Sequence, residues 1–118
     1  MDIGYCRVST DQQHSILQLD ALKKHGCEKV YTETASGALR DRPQLKAAMD
    51  FARTGDVIVV WSLSRLGRSL RQLIETIEQL EYRNVGFVSL KEKIDTTSPS
   101  GRLVFHVFGA LAEFERAH

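Results

Sequence analysis

Residues 5–10, Tyr-Cys-Arg-Val-Ser-Thr, place a hydroxyl and a guanidinium where both could act on a phosphate. Arg7 and Ser9 are two positions apart in a stretch with strand-like alternation, so we expect both to project where the strand hands over to a helix. Ligands of open α/β sheets bind at this carboxyl edge. A serine oxygen can attack a phosphodiester while an arginine holds the phosphate oxygens. The alternative is that Ser9 or Thr10 only caps the next helix.

A second basic group follows residues 57–61, a continuous apolar run that is typical of a strand buried on both faces. Arg65 and Arg68 are three positions apart, which puts both guanidiniums on one side of a turn or of a first helical turn. Ser69 or Gly67 can cap the helix that follows, and the amides at its start favour an anion. The alternative interpretation is a solvated basic loop. A third and weaker group lies in the polar loop 35–42, which contains Ser36 and Arg42.

The elements that must position these groups alternate along the chain. Strand patterns occupy residues 3–9, 29–33, 57–61 and 85–90, and helical apolar spacing occupies residues 16–25, 43–55, 70–84 and 101 onward. Pro43 fits the first position of the second helix, and Gly26 fits the stop of the first. This order predicts an α/β fold with helices on both faces of the sheet.

The last helix has an unusually wide apolar surface. Ser98 and Pro99 form a cap-then-first-position signal. The apolar positions that follow are Leu103, Val104, Phe105, Val107, Phe108, Leu111, Ala112 and Phe114. They cover more than one narrow stripe, so we expect partners on more than one side, a second subunit among them. Residues 113–118 contain no stop signal, and we expect the chain to end inside a helix, as a fragment would.

Composition limits the function classes. The 118 residues, 42% of them hydrophobic, fit one domain, and the net charge of +1 does not by itself indicate a nucleic-acid partner. Ten of the 16 basic residues are arginine, the better bidentate phosphate ligand. Cys6 and Cys27 are too few for a disulfide framework or zinc site, and the four histidines are scattered, so we expect no metal. Without a signal peptide or membrane-spanning run, a cytoplasmic location is expected.

Several ordered motifs together resemble the serine recombinases, and most closely their DNA invertase and resolvase branch. These motifs are Tyr5-x-Arg7-Val8-Ser9-Thr10-x-x-Gln13, Ser36-Gly37, Asp41-Arg42, Gly55-Asp56, Leu63-x-Arg65-Leu66-Gly67-Arg68, Ser89-Leu90, Ile94-Asp95-Thr96 and Ala110-Leu111-Ala112-Glu113-x-Glu115-Arg116. The match extends over essentially all 118 residues.

The resemblance implies a three-layer α/β/α resolvase-like fold, with a mixed, mostly parallel sheet whose last strand runs opposite to the rest. It implies a catalytic domain at residues 1–99 and the start of a long oligomerisation helix at residues 100–118. The family nucleophile corresponds to Ser9. The phosphate-binding arginines correspond to Arg7, Arg42, Arg65 and Arg68, and the supporting positions to Gln13, Gln18 and Ser36.

The resemblance also implies the reaction and the partners. Family members cut double-stranded DNA at paired recombination sites, form phosphoserine links to 5′ ends, exchange subunits and religate. They act as dimers and tetramers on nucleoid DNA. They need no metal or nucleotide cofactor, and they do not associate with a membrane. Preorganised guanidiniums can stabilise the charge that grows on the phosphoryl oxygens.

Two departures from the family pattern keep alternatives open. Ser64 stands where the family usually has an acidic residue that could orient an arginine or take part in proton transfer. The helix-turn-helix DNA-binding domain that follows in the family is not in this sequence. One alternative is therefore a catalytically impaired oligomerisation or regulatory fragment of a recombinase. Another, a serine hydrolase, is disfavoured because no Gly-x-Ser-x-Gly elbow occurs.

Overall fold

The computed structural model describes residues 1–8, 12–34, 42–63 and 69–117, apart from the side chains of residues 12–15, 108–109 and 111–117. The elements are β1 (Asp2–Val8), α1 (Gln12–His25), β2 (Lys29–Thr34), α2 (Pro43–Phe51), β3 (Val57–Val60), α3 (Leu70–Tyr82), β4 (Gly86–Ser89), β5 (Ile94–Asp95) and α4 (Pro99–Ala117). Every strand and helix that the sequence pattern predicts is present, and no end is shifted by more than four residues.

The five strands form one sheet in the order β2-β1-β3-β4-β5. The first four strands are parallel, and β5 is antiparallel to β4, with Ile94 opposite Ser89. The mixed sheet and its reversed last strand, expected from the resemblance, are therefore confirmed.

Two apolar clusters lie on the two faces of the sheet, because successive side chains of a strand point to opposite faces. On one face, Cys6 and Val59 pack against Leu22 of α1. On the other face, strand residues such as Tyr5 and Phe87 pack against α2, α3 and Phe105 of α4. Helices cover both faces, so the predicted three-layer α/β/α arrangement is confirmed.

Serine side chains cap the first turns of α3 and α4, and Ser69 is one of the two caps that the sequence allows for α3. Ser69 Oγ accepts a hydrogen bond from the Gln72 amide at 3.1 Å, and Ser98 Oγ accepts one from the Gly101 amide at 3.1 Å. A Cβ atom on Gly101 would lie 1.7 Å from the Asp95 carbonyl oxygen, so only glycine lets the first turn of α4 approach β5 this closely. The start of α4 is thereby fixed against the sheet.

Candidate active site

The two strands that precede the predicted arginine groups are neighbours. β1 pairs with β3 in parallel, with Tyr5 opposite Val60, and pairs on its other side with β2. The chain order reverses between β1 and β3, and open α/β sheets bind ligands at such a switch point, beyond the carboxyl ends of the strands. The ends of β1 and β3, from which segments 9–11 and 64–68 continue, are therefore at one edge of the sheet.

Arg7 lies near the carboxyl end of β1, opposite Glu33 of β2. Its carbonyl oxygen accepts a hydrogen bond from Nε2 of Gln18, a residue of α1 that is only 2% exposed. The Arg7 Nε is buried and has no hydrogen-bond partner within the part of the chain that the structure describes. Gln18 thus holds the backbone of Arg7, while the guanidinium keeps a donor that an anion could accept from.

Glu33, 4% exposed, holds the start of α2. Its Oε1 accepts hydrogen bonds from the amides of Gln44 at 3.0 Å and Leu45 at 3.2 Å, and from the Tyr5 hydroxyl at 3.3 Å. The residue in the N-cap position, Arg42, makes no side-chain capping bond. The Glu33 carboxylate on β2 therefore supplies the acceptor that a serine or aspartate at the N-cap would normally provide.

Arg42 is brought to the same place by this arrangement. It precedes Pro43 in a left-handed backbone conformation, with φ 36° and ψ 64°. Burial lowers the pKa of its guanidinium, and the nearby positive charge of Arg7 acts in the same direction, opposed by Tyr5 and Glu33. Burial likewise raises the pKa of the Tyr5 phenol, an effect that Glu33 reinforces, so Tyr5 stays a hydrogen-bond donor. Two arginines and one carboxylate thus share a partly buried, net positive site.

The structure brings together three of the predicted site residues, namely Arg7, Gln18 and Arg42. Gln13 belongs to the first turn of α1. The other predicted residues lie outside the described ranges, and they are Ser9, Ser36, Ser64, Arg65 and Arg68. Because α1 begins at Gln12, Ser9 stands three positions ahead of the first helical residue. Residues 9–11 lie outside the described ranges, and so does the alternative that Ser9 or Thr10 only caps α1.

Sequence reasoning missed Glu33 and used Tyr5 only as part of a motif. A signal for Glu33 existed in the sequence, because Arg42 before Pro43 cannot accept hydrogen bonds from the first amides of α2. A buried acceptor from elsewhere was therefore needed. Nothing in the strand pattern of β2 distinguishes Glu33 from a solvent-facing residue.

The family model of the resolvase N-terminal domain matches residues 2–118. The chain belongs to the resolvase family. It is 50% identical to the DNA-invertase of Escherichia phage P1 over 116 residues, and 52% identical to the transposon Tn552 DNA-invertase BinR of Staphylococcus aureus over 118 residues. Each alignment covers 98% of this chain and 62% of the relative, so the chain spans about three-fifths of the length of these curated relatives.

Solved structures agree with the assignment to the resolvase family. The N-terminal catalytic domain of TP901-1 integrase superposes with a TM-score of 0.81 at 29% identity, covering 99% of this chain and 98% of that one. A resolvase family site-specific recombinase from Streptococcus pneumoniae, 24% identical, shares the fold with a TM-score of 0.74 and is covered over 87% of its length, with 98% of this chain aligned. In the ranges that the structure describes, no helix is both long and apolar enough to cross a membrane.

Substitutions of the Glu33 cluster should weaken folding in a graded way. Tyr5→Phe removes one donor and should cost about 1 kcal/mol, whereas Glu33→Ala leaves buried donors unmatched and should cost about 3 kcal/mol. Glu33→Gln keeps an oxygen in the Oε1 position that accepts all three hydrogen bonds but removes the negative charge that strengthens them, and should fall between the other two variants. Chemical denaturation of the three variants measures the order. A Glu33→Ala protein as stable as the unsubstituted chain would contradict the assigned role.

Proposed function

We propose that this chain is the catalytic part of a serine site-specific recombinase that cleaves and rejoins double-stranded DNA. The observation that carries the proposal is the link through Glu33 at the carboxyl edge of the sheet: Arg7 lies opposite Glu33, whose carboxylate holds the first amides of α2 just after Arg42. The chain belongs to the resolvase family, and Ser9 follows β1 in its sequence. Both arginines are anchored through other residues, Arg7 by Gln18 and Arg42 by the start of α2.

In the proposed reaction, Ser9 Oγ forms a bond to the phosphorus of a DNA phosphodiester and the bond from phosphorus to the 3′ oxygen breaks. The serine proton passes to a general base, the 3′ oxygen takes up a proton from a general acid and leaves as a 3′ hydroxyl, and the phosphate stays bonded to Ser9 through the serine oxygen and to the DNA through its 5′ oxygen. Arg7 and Arg42, together with Arg65 and Arg68, stabilise the charge that develops on the phosphoryl oxygens. Strand exchange follows, and attack by the 3′ hydroxyl of the new partner reverses the chemistry and releases the serine.

The supporting positions Gln13, Gln18, Ser36 and Ser64 complete the proposed site. The catalytic domain then comprises residues 1–99, and subunits associate through residues 100–118, which include all of α4 after Pro99. Because its substrate is DNA, we expect the protein to be located in the cytoplasm, associated with the nucleoid.

Covalent trapping tests the proposal. The whole chain is fused to a sequence-specific DNA-binding domain, which supplies affinity for a chosen site. The fusion is mixed with DNA duplexes that have randomised central base pairs and a nick in one strand close to them. Cleavage next to the nick releases a short strand that carries the 3′ hydroxyl. Once this strand dissociates, the cleavage cannot be reversed. We expect a denaturation-resistant adduct, with a 5′ phosphate linked to Ser9 in mass spectra of the digested protein. Association without any adduct would favour the impaired oligomerisation fragment instead.

Association should proceed through the outer face of α4. Phe105 and Gly101 of this helix are buried against the domain, whereas Leu103 and Val107, one helical turn apart, are 65% and 52% exposed. A closed dimer uses the same patch on both subunits. Leu103→Glu or Val107→Glu should therefore raise the dimer dissociation constant roughly 10- to 100-fold, because each replaces an apolar side chain that the proposed dimer interface buries.

Analytical ultracentrifugation over a concentration series measures this effect. Ile16→Glu is the matched control, because Ile16 is also an exposed apolar residue but belongs to α1, on the opposite face of the sheet. A strictly monomeric chain at high concentration, unaffected by any of these substitutions, would contradict association through α4.

A further inference from the structure

The turn between β4 and β5, residues 90–93, lies against the end of β3. The Leu90 amide donates to the Val60 carbonyl oxygen at 3.0 Å, and the Lys91 amide donates to that of Trp61 at 2.8 Å. Both bonds continue the β3–β4 ladder, in which Val60 is opposite Ser89. The turn therefore lies beside residues 60 and 61, where the chain leaves β3 and continues toward residues 64–68.

Glu92 extends this contact by one further step. Its Oε1 accepts a hydrogen bond from the Leu63 amide at 3.2 Å and another from the Ser89 hydroxyl. Ser89 is fully buried, so it holds the carboxylate to the sheet while the rest of Glu92 is exposed. Leu63 is the last described residue before Ser64, and a side chain from a different element thus fixes its backbone.

We propose that Glu92 is a positioning residue for Arg65 and Arg68. The proposal rests on the function proposed above, in which these two arginines bind the reacting phosphate. Leu63, whose amide Glu92 holds, is only two residues before Arg65 in the sequence. At the far end of the segment, Ser69 is fixed by its bonds to the Gln72 and Leu73 amides. Glu92 supplies the corresponding anchor at the near end.

A positioning role predicts unequal effects on stability and on rate. Glu92→Ala removes two hydrogen bonds, from the Leu63 amide and from the Ser89 hydroxyl, and should lower the thermal midpoint by no more than about 10 °C. Displacement of a catalytic group by about 1 Å can cost a hundredfold in rate. Glu92→Ala should therefore slow single-turnover adduct formation by at least about tenfold, with little change in the DNA concentration that gives half the maximal rate.

Three variants make the test specific, all in the fused chain used for covalent trapping. Glu92→Gln retains an acceptor oxygen for the Leu63 amide and should stay within about threefold of the unsubstituted rate. Asp56→Ala is the matched control, because Asp56 is also a carboxylate that accepts a backbone amide bond, from Arg53 at 2.9 Å, but lies at the start of β3. Hydrogen exchange at Leu63 reports the contact itself and should accelerate only in Glu92→Ala.

The results separate this inference from the proposed function. Faster exchange at Leu63 in Glu92→Ala, with an unchanged cleavage rate, would overturn the positioning role. Equal slowing by Asp56→Ala would show a general effect of destabilisation, and equal slowing by Glu92→Gln would show that charge rather than the Leu63 contact matters. Either result would also overturn it. If the unsubstituted chain forms no adduct with any duplex, the proposed function fails and this inference fails with it.

Discussion

Ser9→Ala should eliminate covalent adduct formation while leaving the fold nearly unchanged. Without the hydroxyl no oxygen on the protein can bond to the phosphorus, so the rate should fall to the detection limit, on the order of a millionfold as for loss of other covalent nucleophiles. Ser9 is three positions ahead of Gln12, the first residue of α1, so we expect its loss to alter the free energy of unfolding by no more than about 0.5 kcal/mol. Trapping gels and chemical denaturation measure the two quantities.

Thr10→Ala is the matched control for Ser9→Ala. It removes the neighbouring hydroxyl and should leave the adduct yield close to that of the unsubstituted chain. If Ser9→Ala still forms the adduct and Thr10→Ala does not, the nucleophile is Thr10. If both still form it, the nucleophile lies outside this motif altogether.

The strands and helices could be predicted because their patterns are local. The continuous apolar run at residues 57–61 identified β3, and serine followed by apolar helical spacing identified the starts of α3 and α4. The C-terminal end of α2 was wrong, because the helix ends at Phe51 rather than near Gly55. Arg83 donates to the carbonyl oxygens of Met49 and Ala52, a distant contact that no local pattern reveals.

The site was predictable in its parts but not in its connections. Arg7 and Arg42 were identified by residue type and motif, yet what holds them is contributed by other elements. Glu33 is 11 residues from Gln44 and 28 residues from Tyr5 along the chain. These residues come into contact only when β2, β1 and α2 pack together. Glu92 and Leu63 are 29 residues apart in the same way. The register of packed elements, which decides such pairs, is set by the whole core.

Arginine-to-lysine substitutions at the site should slow cleavage strongly while changing stability little. Arg7 is the informative position, because its backbone is held by Gln18 and its buried Nε has no partner among the described residues. Lysine keeps the charge but has neither this inner donor nor the planar fork that contacts two phosphate oxygens at once. Loss of one such preorganised donor typically costs about 100- to 1000-fold in rate.

We expect this loss for Arg7→Lys, Arg65→Lys and Arg68→Lys, measured as single-turnover adduct formation. Arg71→Lys is the matched control, since Arg71 is a solvent-exposed arginine of α3 paired with Glu75 at 3.2 Å, three positions beyond Arg68. It should retain the full rate, because its guanidinium pairs along the helix surface rather than at the edge of the sheet. A crystal soaked in sulfate should show the anion held by Arg7 together with Arg65 or Arg68. Guanidiniums dispersed over separate faces, or an Arg7→Lys protein that cleaves at the full rate, would contradict a shared phosphate site.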